Sequence, residues 1–94
     1  MKLAKGIKLR VSEVIGMMDA LTFPEFMLNL RRATGLSRRE VCDIVEMDCN
    51  KLYYIEKGLY WHRIRDHELK KLAELYMLAH SKVRRKFAGF TNGK

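Results

Sequence analysis

Two helix-start signals fall close together between Gly35 and Gly58, and they constrain this chain more than any other feature. Ser37-Arg38-Arg39-Glu40 is a capping box: the serine accepts a hydrogen bond from a first-turn amide, and the glutamate reaches back to the serine's own amide. Asp48 caps a second segment, and Gly58 sits where a left-handed residue closes a helix. Each helix so framed has only about nine residues, too few to persist alone. Packing must therefore hold both. Val41, Cys42 and Val45 form the inward face of the first, Leu52 and Ile55 that of the second. The outer face of the second is then free to project from the surface.

The flanks supply the packing. Thr22-Phe23-Pro24-Glu25 is another capping box, with proline where a first turn tolerates it. That helix runs to about Ala33 with Phe23, Met27 and Leu30 along one stripe, and Gly35 stops it. Upstream, Ser12–Leu21 reads as a short helix capped by Ser12, with Val14, Ile15, Met18 and Leu21 on one side. Downstream, Leu59–Arg65 is a loop of aromatic and basic residues. Asp66 caps a last stretch in which Leu69, Leu72, Ala73, Tyr76, Ala79, Val83 and Phe87 recur at helical spacing. It is either one helix to about residue 88 or two, broken near His80-Ser81 with Ser81 as the new cap. The expected fold class is all-α: a compact domain of four to five helices over 22–78, an extra N-terminal helix within a basic segment 1–21, and a basic helical extension over 79–94.

The formal charge of +8 is concentrated at the ends. Residues 1–10 carry Lys2, Lys5, Lys8 and Arg10 without an acid, and residues 81–94 carry Lys82, Arg84, Arg85, Lys86 and Lys94, again without one. Basic ends suit a polyanion; they equally suit solubilising tails. No stretch approaches the roughly 18 apolar residues of a membrane span. Lys5 and Lys8 interrupt the first ten residues, so no signal peptide and no membrane partner is expected, and the location expected is the cytoplasm. Cys42 and Cys49 lack the paired short spacing of a zinc site and are expected reduced. No metal, cofactor or catalytic constellation is legible, and the chain does not read as an enzyme. His80, on an apolar stripe, reads as a core-edge histidine.

Leu36-Ser37, Val41-Cys42, Val45, Met47, Leu52, Ile55-Glu56 and Gly58 together resemble the lambda-repressor-like (Cro and cI, or XRE) helix-turn-helix family. Phe23, Met27, Leu30 and Arg31 fit that family's first helix, and Leu69, Leu72 and Ala73 its fourth, so the resemblance covers about 22–78. The chain departs from the pattern at Glu46, where the family has a turn glycine, and at Cys42, Asp48, Arg38 and Cys49.

The resemblance implies a sequence-specific transcriptional regulator, a dimeric repressor or autorepressor of phage or bacterial type. It reads a palindromic operator in double-stranded DNA with the helix Asp48–Lys57 in the major groove, and associates with the nucleoid when bound. Implied base contacts are Cys49, Asn50, Lys51, Tyr53 and Tyr54; an asparagine pairs bidentately with adenine. Implied phosphate contacts are Arg38 and Arg39 at a helix start, with Lys57, Tyr60, His62 and Arg63 flanking the end of the reading helix. Tyr53, Tyr54 and Trp61 also suit packing on the domain itself, and Arg38 and Arg39 suit plain solvation. Phe26 and Leu28, off the expected core stripe, and Val83, Phe87 and Phe90, beyond the family's domain, are candidates for a homodimer interface. A different class is an antitoxin-type module that binds a toxin-like protein partner as well as its own promoter. A third is a non-specific nucleic-acid binder driven by its tails.

Overall fold

Capping sets where the helices begin. The computed structural model describes residues 10–92, and the regular structure among them is all helical. The elements are α1 (Val11–Gly16), a single 3-10 turn (Met18–Ala20), α2 (Phe23–Thr34), α3 (Arg38–Val45), α4 (Cys49–Lys57), a second 3-10 turn (Trp61–Arg63), α5 (Asp66–Leu75) and α6 (His80–Asn92). The Thr22 and Ser37 hydroxyls accept from the amides of Glu25 and Glu40, while those carboxylates accept the amides of Thr22 and Ser37. The Asp48 carboxylate accepts the Asn50 amide at 2.7 Å. Gly35 and Gly58 close α2 and α4 in the left-handed region, as the sequence leads one to expect.

Three starts differ from expectation. The first helix begins one residue before Ser12, with Arg10 as its cap residue and Glu13 accepting the Arg10 amide, and it ends at Gly16 instead of running to Leu21. The cap of α5 is Arg65, whose amide goes to Glu68; Asp66 is the first helical residue and its carboxylate serves a different partner. The stretch after Asp66 is two helices, but the break is at Tyr76–Ala79. Met77 turns the chain with φ 59°, and Ser81 lies inside α6 and does not cap it. The amide of Leu78 bonds back to the Ala73 carbonyl at 2.8 Å, which satisfies the end of α5 without a glycine.

The core is one cluster. Helix α2 runs through its middle and touches α1, α4 and α6, so it is covered on several sides. This is why Phe26 is 0 % exposed: beside Phe23, Met27 and Leu30 it completes an i, i+3, i+4, i+7 face wider than the stripe read from sequence. Burying such a ring contributes roughly 1.5–3 kcal/mol, and it leaves Phe26 nothing to offer a second copy. Val83 is likewise removed from the interface candidates at 1 % exposure, because α6 folds back onto α5 and α2. Phe87 meets Phe23 edge-on with centroids 5.0 Å apart, and Phe90 packs nearby. Leu28, Phe87 and Phe90 stay half-buried. The first nine residues, which hold Lys2, Lys5 and Lys8 of the expected N-terminal basic segment, lie outside the described residues.

Candidate nucleic-acid interface

Helices α3 and α4 are joined by Glu46 and Met47 alone before the Asp48 cap. Glu46 adopts φ 54°, ψ 53°, a conformation that costs a non-glycine residue about 1–2 kcal/mol. It is held because the Met47 amide bonds back to the Cys42 carbonyl at 3.0 Å and the Met47 side chain is buried. The tight turn thus keeps its left-handed link with a glutamate in place of glycine.

The two faces of α4 are sharply different. Leu52, Ile55 and Glu56 are buried, while Asn50, Tyr53 and Lys57 are exposed and Tyr54 is half-exposed. The exposed residues fall at i, i+3, i+4 and i+7, one continuous stripe. Around Tyr53 the charge is positive: the Arg38 guanidinium lies 5.1 Å and the Lys57 ammonium 5.9 Å from its ring centroid. From there aromatic rings run along the surface. Tyr54 meets Tyr53 at 6.2 Å and Tyr60 at 4.8 Å, Tyr60 meets His62 at 6.4 Å, and His62 meets Trp61 at 6.0 Å. Arg63 lies over Tyr60 at 5.3 Å. Tyr60 sits at φ 46°, so this edge is built on a strained turn. Tyr53, Tyr60 and Trp61 remain 38–51 % exposed, so the rings pack on each other and not into the core.

Two residues expected to reach bases point elsewhere. The Lys51 ammonium donates to the Arg63 carbonyl at 2.6 Å and lies 3.4 Å from a Glu68 carboxylate oxygen, bracing the Trp61–Arg63 turn and α5 against α4. Cys49 packs at the edge of the core, close to Cys42. Burial, with Cys49 close by, pushes the Cys42 thiol up to about 12. Arg38 sits between two roles: its Nε faces the buried Glu56 at 3.4 Å while its guanidinium covers Tyr53. Arg39, one residue on, is exposed and makes no ion pair or hydrogen bond among the described residues.

Sequence reasoning missed the group that fixes this surface. Glu56 is 4 % exposed and accepts from Arg31 Nε at 2.8 Å and Nη2 at 3.1 Å, while Arg31 Nη1 donates to the Leu36 carbonyl. The hydrogen bonds to Glu56 hold the Arg31 guanidinium above its ordinary value. One arginine thereby ties α2, the loop before α3 and α4 together. The signal was present: Glu56 falls four residues after Leu52 and next to Ile55, on the inward stripe. A carboxylate there demands a cationic partner.

Among the described residues no group of three or more His, Cys, Asp or Glu side chains is placed to hold a metal ion, and no helix is long and apolar enough to cross a membrane. No known protein family, curated protein or solved structure matches the chain.

Proposed function

We propose that the chain is a sequence-specific double-stranded DNA-binding regulator that lays α4 in the major groove. The observation that carries this reading is the division of α4: an exposed stripe of Asn50, Tyr53, Tyr54 and Lys57, backed by a buried face anchored through Glu56. A rigid helix with an open polar face at the end of a tight turn suits groove insertion. Arg38 and Arg39 at the start of α3, with Arg63 beyond α4, suit the phosphates on either side. Asn50 is the base reader in this reading, with Tyr53 and Tyr54 beside it; Lys51 and Cys49 hold the helix in place. The regulator works as a homodimer on a palindromic operator, as a repressor or autorepressor.

The experiment is selection of bound duplexes from a random pool, followed by a salt titration of the selected site. An enriched palindrome, with affinity falling steeply as salt rises, supports the reading. Absence of any enriched sequence sinks it. The run of half-exposed rings from Tyr53 to Trp61 favours a second reading, single-stranded nucleic acid held by base stacking on aromatic residues. Competition decides between them: under the second reading, single strands of arbitrary sequence displace the duplex.

A further inference from the structure

On the side of the fold served by α1 and α6, an open groove of about 660 Å³ runs between the Ile15–Asp19 segment and α6. Its floor is apolar, made by Ile15, Met18, Phe23 and Phe90. Its α6 wall carries Lys82, Arg85 and Lys86, at i, i+3 and i+4 and therefore on one face. None of these three makes an ion pair or hydrogen bond among the described residues, although Lys86 lies near enough to Glu25 to help hold that carboxyl down. Asp19 is the single acid in the lining. Two glycines, Gly16 and Gly89, line the groove, and a Cβ built on either meets no atom within 4 Å. Gly89 lies inside α6, where glycine costs about 0.5–1 kcal/mol relative to alanine, and no close packing explains it.

We infer that this groove is a binding site for a small amphipathic anion, with its apolar body on the half-buried Ile15, Met18 and Phe90 and its carboxylate or other anionic head against Lys82, Arg85 and Lys86. The size lies within the range of small-molecule pockets, roughly 300–1,000 Å³. The cations supply charge-assisted hydrogen bonds, and a clustered set of cations in excess over the one lining acid, above an apolar floor, selects a molecule that carries both features. The site does not depend on the DNA reading, because its occupancy is measured without DNA.

The test is titration calorimetry of the full chain with dodecanoate, below its micelle concentration, with dodecanol as the uncharged counterpart. Saturable one-to-one binding is expected, about tenfold or more tighter for dodecanoate than for dodecanol. Lys82→Gln with Arg85→Gln, both at exposed positions, lowers dodecanoate affinity by about tenfold while leaving circular dichroism unchanged. Gly89→Leu fills the groove and abolishes binding. No saturable binding overturns the inference, as does binding that survives Gly89→Leu. Uptake confined to anionic-lipid vesicles, or dodecanoate-independent self-association through this face, overturns it too.

Discussion

The Glu56 carboxylate, on the inner face of α4, is gripped by the Arg31 guanidinium through two hydrogen bonds of 2.8 and 3.1 Å, with the acid side chain 1 % and the arginine side chain 14 % exposed. Removing Glu56 strands the Arg31 charge, and removing Arg31 leaves Glu56 only the longer 3.4 Å contact with Arg38, each at a cost of about 3–5 kcal/mol. Arg31→Met and Glu56→Leu are each expected to lose that much in urea unfolding. The double variant is expected to recover most of it, since neither charge is then left unpaired. Losses that simply add in the double variant would remove the pair from its place as the anchor of α4.

Lys51 and Asn50 are neighbours in sequence with opposite roles. Lys51→Met removes the brace to the Arg63 carbonyl and Glu68, so it lowers unfolding stability by about 1–2 kcal/mol and leaves base preference unchanged. Asn50→Ala, at an exposed position, leaves stability nearly untouched and relaxes base preference at one position of the selected site by about 1–3 kcal/mol. Denaturation and binding-site selection on both variants separate the two roles. A specificity change in Lys51→Met would return that side chain to the base-reading set.

What was legible in the sequence follows a physical pattern. The capping boxes at Thr22 and Ser37 and the closing glycines at Gly35 and Gly58 were readable because each feature is local: a few side chains satisfy the amides and carbonyls beside them. The break at Tyr76–Ala79 was misplaced because no glycine or proline marks it; the αL residue is Met77, and packing of α6 back on α5 decides it. Phe26 was misread for a related reason, since a single-stripe reading of α2 cannot anticipate a helix covered by three neighbours. The roles of Lys51 and Cys49 depend on contacts between elements, with Glu68 and Cys42, that spacing does not encode.

Left-handed residues without glycine make a stability prediction. Glu46 at φ 54° and Met77 at φ 59° are both exposed, with Met77 91 % accessible, so their side chains contribute little to offset the strain. Glu46→Gly and Met77→Gly should each raise unfolding stability, by up to about 1 kcal/mol, because relief of a 1–2 kcal/mol penalty is partly cancelled by the added freedom of glycine in the unfolded chain. Lys70→Gly, inside α5, provides the contrast and should lower stability by about 1 kcal/mol. Destabilisation in all three variants would show that the Glu46 and Met77 side chains matter more than their backbone strain.

Acid should weaken the fold through three carboxylates. Glu25 and Glu40 are held below the usual range by the amides of Thr22 and Ser37, and Asp66 by Arg84, whose Nε and Nη2 lie 3.0 and 3.1 Å from its two oxygens. Each is depressed in the folded chain, so its contribution is complete above the unfolded value and disappears as pH falls through the folded one. The urea midpoint should therefore stay level near neutrality and drop below about pH 4.5. Glu25→Gln, Glu40→Gln and Asp66→Asn together should flatten that drop. A midpoint unchanged between neutrality and the acid end of the carboxylate range would count against all three bonds.

The two cysteines should differ in reactivity although they lie close together. Cys42 is 3 % exposed and its thiol is pushed up to about 12, chiefly by burial. At pH 8 Cys42 is then held as the thiol, not the thiolate that attacks an alkylating reagent or a disulfide. Cys49, half-buried at the first turn of α4, is the thiol that reagent reaches. Native chain treated with an aromatic disulfide at pH 8 should take up one equivalent, mapped to Cys49 by mass spectrometry, and a second only in urea. If α4 frays at its N-terminus in solution, the shield over Cys42 opens with it. Rapid native labelling of both thiols would then place the start of α4 among the mobile parts of the fold, and a frayed start would leave Asn50 poorly positioned to read a base.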